Sequence, residues 1–322
     1  MKLNLTVILF LVLMTVGVII TLSSNNFLMM WVGLELSLMS FIPILSMNGF
    51  YGSESCIKYF LIQSISSCMF ILGLLFMFME NDFNNFLVVF SLMLKVGLAP
   101  FHLWLLSLVE GLNYFMLFIL LTLMKISPLF IMSYLNFNYS FFILASLIVG
   151  SFNGLNQNSL RKLISLSSIF NMGFVISVIF FNNIWPSFML IYSVILFTVL
   201  IIFDLLKINY LNQMMINIFE LKMKLILWLS VLSLGGLPPL LGFLGKIIVF
   251  EMLFLTENFF MLTVMILTSL LVMFFYTRIC IIFMMFFSLT MKWKLVFYSN
   301  PPYYLILFNL LFPSILMLKS II

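Results

Sequence analysis

LNLTVILFLVLMTVGVIITL, residues 3–22, holds no charged side chain and no proline. An α-helix rises about 1.5 Å per residue, so a run of this length spans the ~30 Å hydrocarbon core of a bilayer. Its apolar residues do not alternate with polar ones, which excludes the ~10-residue patterned strands of a membrane β-barrel. A helix also satisfies its own backbone N–H and C=O groups where water is absent. The rest of the chain repeats the pattern: 65% of its 322 residues are hydrophobic and 7% are charged, against about 25% charged in a soluble domain. The sequence predicts an all-α polytopic membrane protein, a single integral-membrane domain over residues 1–322. Lys2 before the first run imitates the start of a signal peptide. The run, however, exceeds the ~7–15 apolar residues of such a peptide and no small-residue cleavage site follows, so it reads as a mature first span.

Apolar segments divided by polar or turn-forming stretches predict eleven spans, at 3–22, 27–46, 57–79, 85–107, 113–135, 140–156, 162–182, 186–206, 224–255, 258–287 and 303–320. Short connections such as SSNN (23–26) and FNYS (137–140) imply antiparallel neighbours. The longest polar interval, KINYLNQMMINIFELKMK (207–224), reads as an interfacial segment. With eleven spans, one side of the membrane receives Lys2, Lys58, Arg161, Lys162, Lys207, Lys222, Lys224, Lys292 and Lys294. The other receives Lys319 with Glu80, Asp82 and Glu257. The positive-inside rule then puts the amino terminus in the cytoplasm or its equivalent, the mitochondrial matrix.

Cys56, Cys68 and Cys280 are scattered, and His102 is the one histidine. That set offers neither a disulfide framework nor ligands for a metal or an iron–sulfur cluster. No phosphate-binding glycine motif occurs either, so no redox centre, nucleotide or nucleic acid is expected on this chain. Phe (40) and Met (26) abound while alanine occurs only at Ala99 and Ala145. An A- and T-rich gene read with an extra methionine codon produces this bias, which points to a mitochondrial genome.

With loop charges set aside, Glu35, Lys95, Lys125 and Lys246 lie deep within predicted spans, and Asp204, Glu251 and Arg278 nearer span ends. A charge at a helix centre costs about 2.5–3.5 kcal/mol on insertion scales, so such residues usually serve function. Snorkelling does not rescue Lys125, which has about 15 Å of helix on either side. A static ion pair between Glu35 and one lysine is an alternative, but three lysines against one acid leave cations unbalanced. An ammonium desolvated among apolar helices loses part of its preference for the charged form, and a carboxylate restores it when near. These residues therefore contain the parts of a proton relay gated electrostatically.

Pro100 follows Lys95 and should kink or break its span. The same chemistry recurs in SLGGLPPLLGFLGK (233–246), where Pro238 and Pro239 precede Lys246. Two Gly/Pro-interrupted spans are the pattern of inverted-repeat transporters with ion sites at the breaks. Pro128, three residues after Lys125, is a weaker case. His102, about two helical turns beyond Lys95, is an auxiliary proton carrier or simply a helix–helix hydrogen-bonding group. Gln63, Ser64, Ser66 and Ser67 line a hydrated path or a helix contact.

The stretches WVGLELSLMSFIPIL (31–45), KYFLIQS (58–64), LKVGLAPFHLW (94–104), LMKISPL (123–129), GLNQNSLRKLISLSSI (154–169) and GGLPPLLGFLGK (235–246) run collinearly through most of the chain. Together they resemble the animal-type NADH dehydrogenase subunit 2 family of mitochondrial respiratory complex I, an antiporter-like family. The resemblance implies a multi-pass subunit of the mitochondrial inner membrane, with its amino terminus in the matrix. It implies proton translocation within NADH:ubiquinone reductase, with Glu35 the gating acid, Lys95 its partner, Lys125 the central relay and Lys246 the lysine of a second half-channel. NADH, FMN, iron–sulfur clusters and ubiquinone would belong to partner subunits of the complex, with lipids around this chain and protons its only small-molecule substrate. Two residues depart from the family pattern: Gly245, where proline is frequent, and Asn171, where histidine is. Rival readings are a free-standing cation/proton antiporter, which needs a carboxylate-rich cation site, and a non-pumping structural subunit.

Overall fold

The computed structural model describes residues 5–47, 50–79, 85–181, 183–216 and 221–285. Among these the chain is helical, with one isolated bridge between Ser159 and Tyr210 and no named strand. The helices are α1 (Leu5–Ser23), α2 (Phe27–Ser46), α3 (Phe50–Met79), α4 (Asn85–Val96), α5 (Leu103–Val109), α6 (Tyr114–Leu121) and α7 (Leu123–Tyr134). There follow α8 (Ser140–Leu155), α9 (Leu160–Ser177), α10 (Ile184–Leu206), α11 (Leu211–Ile216), α12 (Leu221–Gly235), α13 (Leu241–Leu255) and α14 (Phe259–Met285). Among the described residues six stretches are long and apolar enough to cross a membrane: Leu5–Ser23, Phe27–Ser46, Phe50–Met77, Tyr114–Tyr134, Ile184–Leu206 and Phe259–Ile282. Phe86–Val96, Ser140–Leu155 and Leu225–Gly235 are shorter apolar helices. The expected span at 303–320, together with Lys2, Glu80, Asp82, Lys292, Lys294 and Lys319, lies outside the described residues, as do the side chains of Lys222 and Lys224.

Several boundaries differ from expectation for local reasons. α3 begins at Phe50 rather than at 57, because the polar stretch SESCIK is itself helical. There Lys58 Nζ lies 2.6 Å from Glu54 Oε1, an i,i+4 pair on one helix face. The expected span 113–135 is interrupted at Thr122, not at Pro128, which sits inside α7. Thr122 turns its Oγ1 back to Phe118 O at 2.7 Å, and Lys125 N–H bonds to Thr122 O at 3.1 Å, so the ladder tightens for one step.

The two expected breaks are present. α4 gives way after Val96 to a non-helical turn before α5, and α12 gives way after Gly235 to a turn before α13. Both ends carry the same cap. Gly97 (φ +74) bonds back to Met93 O and Leu94 O, and Leu98 N–H reaches Met93 O at 3.2 Å. Gly236 (φ +83) bonds to Leu232 O and Ser233 O, and Leu237 N–H reaches Leu232 O at 3.3 Å. These are Schellman caps, in which a left-handed glycine closes the last turn and a proline soon after prevents continuation.

The described residues pack as two units, one drawn from residues 5–146 and 171–181 and the other from residues 147–170 and 183–285. In the first, α1 lies along α2, α3 packs on α2, α4 and α5, and α7 packs against α1, α2, α4 and α6. In the second, α10 packs on α12 and α13, and α14 on α11, α12 and α13. The polar interval after α10 is tied down within that unit. Lys207 (φ 52) ends α10, Leu160 N–H bonds to Asn209 O, Leu211 N–H to Asn158 O, and Arg161 to Asn209 Oδ1 at 2.9 Å.

Candidate functional site

In the first unit α2 supplies Glu35 and the last turn of α4 supplies Lys95. α4 ends there because Gly97 caps it and Pro100 follows, which leaves Lys95 at the negative end of a helix, where a cation is favoured. Lys95 is buried, its side chain 4% exposed, and its Nζ lies 3.7 Å from Glu35 Oε1, whose side chain is 22% exposed. That is within Coulombic reach and beyond hydrogen-bond distance. Among the described residues no protein group donates a hydrogen bond to Glu35 Oε1.

Lys125 comes from α7, just past the interruption at Thr122, and is 2% exposed. Lys95 and Lys125 line one cavity, whose other walls include Ser37, Tyr59, Gln63, Trp104 and Pro128. The cavity offers about 20 Å³ to the centres of water molecules, above the ~10–15 Å³ that one water needs. Two amines and polar side chains around such a space make a setting where water can bridge cationic groups.

Lys246 belongs to the second unit. It stands on the first turns of α13 and folds back so that Nζ donates to Gly235 O, the carbonyl at the end of α12, at 2.5 Å. The ring of Phe170 covers it, with Nζ 5.8 Å from the centroid. Here a helix-end carbonyl and an aromatic face offset the charge, the work that a carboxylate does beside Lys95. Gly236 makes the approach feasible, since a methyl group on it would lie 2.7 Å from Lys246 Nζ.

His102 is buried but is not among the residues lining the cavity. Its Nδ1 lies 3.2 Å from Pro100 O, a carbonyl that can only accept, so the contact is a hydrogen bond in the tautomer with the hydrogen on Nδ1. The two-turn spacing to Lys95 has no helical meaning, because the intervening residues form the break. Ser64, Ser66 and Ser67 each donate to a carbonyl of their own helix, Leu61 O, Gln63 O and Ser64 O, so they satisfy themselves rather than line the cavity. Gln63 alone of that group reaches it. Gly245 falls inside α13 against Phe188, downstream of the break, and Asn171 is buried in α9. Asp204 and Glu251 are exposed, and Arg278 donates to Leu155 O at 2.7 Å.

Residues 24–272 match the family model described as NADH:quinone oxidoreductase/Mrp antiporter, TM. The chain belongs to that family. It is 40% identical over 289 residues to a protein of Anopheles gambiae named NADH-ubiquinone oxidoreductase chain 2, covering 84% of this chain and 83% of that one. It is 37% identical over 283 residues to the protein of that name from Aedes aegypti, with coverage of 84% and 83%. A chain in the structure of respiratory complex I from Thermus thermophilus with bound aureothin superposes with a TM-score of 0.81, covering 94% of this chain and 75% of that one. At 20% identity that likeness is one of fold. Both helix breaks, and Glu35, Lys95, Lys125 and Lys246, fall inside the stretch matched by the antiporter family model.

Two features of the site escaped the sequence reading: the pairing of Lys246 with Gly235 O and Phe170, and the interruption at Thr122. A backbone carbonyl has no letter of its own, and threonine is ordinary within helices. The Gly235–Gly236 pair ahead of two prolines was the available signal for the first.

Proposed function

We propose that this chain is a proton-translocating membrane subunit of NADH:ubiquinone oxidoreductase, acting as one integral-membrane domain in the mitochondrial inner membrane. NADH, FMN, iron–sulfur clusters and ubiquinone are handled by the partner subunits, and protons are what this chain moves. Its amino terminus faces the matrix, a reading supported by the lysine and arginine asymmetry of the connections. Glu35, Lys95, Lys125 and Lys246 relay protons, with His102 an auxiliary group.

The observation that carries this reading is the cavity shared by Lys95 and Lys125, with Glu35 3.7 Å from Lys95. Two buried ammonium groups around room for water have little structural use, since each costs desolvation that an apolar side chain would avoid. As exchange partners they do have one. A proton leaving one amine finds a second across the cavity, and the carboxylate biases which of them is charged.

Replacing Lys125 with Met tests the proposal, with proton uptake and NADH oxidation measured in membrane vesicles per assembled complex. A positioned proton-transfer group contributes about 10²–10⁴ in rate, so both activities should fall about a hundredfold. Unchanged activity at normal assembly would reduce the subunit to a scaffold.

A further inference from the structure

We infer that Gln63 is a positioning residue for the water between Lys95 and Lys125, an inference that rests on the proton-relay reading above. Gln63 is buried at 5% exposure in α3, lines the cavity with both lysines, and directs Nε2 to Lys95 O at 3.4 Å.

That contact settles which way the carboxamide points. The carbonyl of Lys95 lies in the last turn of α4, where the break removes the next helical N–H that would have met it. A carbonyl can only accept, so the amide must present its nitrogen there. Oε1 is then the end left over, and no protein donor among the described residues meets it. The one acceptor that Gln63 has to offer belongs to the cavity.

An ammonium is a donor with no lone pair to offer. Water lying between two such groups receives hydrogen bonds from both sides and needs somewhere to direct its own hydrogens. Oε1 supplies that acceptor. A carboxamide does not ionise near neutral pH, so it orients the water without retaining the proton or adding a charge, as a carboxylate at that place would. When one lysine is neutral, water held on Oε1 can receive a proton from the charged amine and pass one to the other.

The test uses the whole assembled complex in membranes. Gln63→Met keeps the length and volume of the side chain and removes both polar ends. It should lower NADH-driven proton uptake per assembled complex about tenfold, the equivalent of one ordinary hydrogen bond, and raise the solvent deuterium isotope effect on turnover. Should Gln63→Met fail to assemble, Gln63→Asn retains the carboxamide on a shorter stem and should show the same two changes to a smaller degree. A loss confined to the amount of complex, with normal turnover and isotope effect in what does assemble, would make Gln63 a brace for α4 and overturn the inference. Lys125→Met separates this from the underlying reading: a stalled Lys125→Met beside a normal Gln63→Met removes only the role of Gln63, whereas a normal Lys125→Met removes the relay itself.

Discussion

The two helix breaks are built alike and hold their lysines differently. Each ends a helix with a left-handed glycine, a leucine whose N–H reaches back to the same carbonyl position, and a proline soon after. At the first, the lysine stands before the cap and faces a carboxylate from another helix, 3.7 Å away. At the second, the lysine stands after the turn, and its partner is Gly235 O at the helix end itself. A carboxylate on a separate helix can approach or withdraw when that helix moves. Gly235 O sits inside the capped turn, so it cannot shift without disturbing the cap. On the proposed relay, the charge on Lys95 would be adjustable and that on Lys246 anchored, although one capping device serves both.

Among the variants that test this contrast, the largest expected effect comes from the glycines. An L-residue in the left-handed region costs about 1–2 kcal/mol, so Gly97→Ala and Gly236→Ala should each lower stability by that amount. Their effects on transport should part. The methyl group at Gly236 would lie 2.7 Å from Lys246 Nζ and drive the ammonium off Gly235 O, while that at Gly97 would meet Leu105 Cδ1 and Trp104 Cζ2 at 3.1 Å. Proton uptake per assembled complex should fall at least tenfold in Gly236→Ala, about the worth of a hydrogen bond to a charged group, and by much less in Gly97→Ala. Equal losses would mean that the shape of each break, not the seat of its ammonium, is what matters.

Glu35→Gln is the next test, and it acts on the adjustable side alone. Two unit charges 3.7 Å apart attract by about 4 kcal/mol at an effective dielectric of ~20. The carboxylate is partly exposed and so partly screened, which brings the expected fall in proton uptake to about tenfold rather than a thousandfold. Turnover that survives Glu35→Gln unchanged would show that the pair is static and that the first break is no more adjustable than the second.

Much of this was legible in the sequence where a physical cause acts along the chain. The length of an apolar run dictates a helix whatever surrounds it, and the expected 27–46 coincides with Phe27–Ser46. Glycine and proline act on their own backbone, so the interruptions near Pro100 and Pro238–Pro239 could be read directly. Causes that act across space could not. The sequence marks Glu35 and Lys95 as costly charges, while their 3.7 Å separation follows from packing. His102 was placed two turns from Lys95 on the assumption of an unbroken helix, an assumption at odds with the break that Pro100 itself predicts. The start of α3 was hidden because SESCIK looks like a loop until Glu54 and Lys58 are seen to share a face.

The smallest expected effect concerns Phe170, whose ring covers Lys246. A cation over an aromatic face is worth about 0.5–2 kcal/mol. The 5.8 Å separation is near the outer limit for such a contact, and Gly235 O already holds the ammonium. Phe170→Leu keeps an apolar side chain in a fully buried place but removes the face. Proton uptake per assembled complex should fall about threefold, the lower part of that energy range, with assembly slightly reduced by the smaller side chain. A loss as large as that from Glu35→Gln would make the ring the principal counterweight to Lys246. The second break would then depend on a side chain from another helix, as the first does, and both lysines would be adjustable.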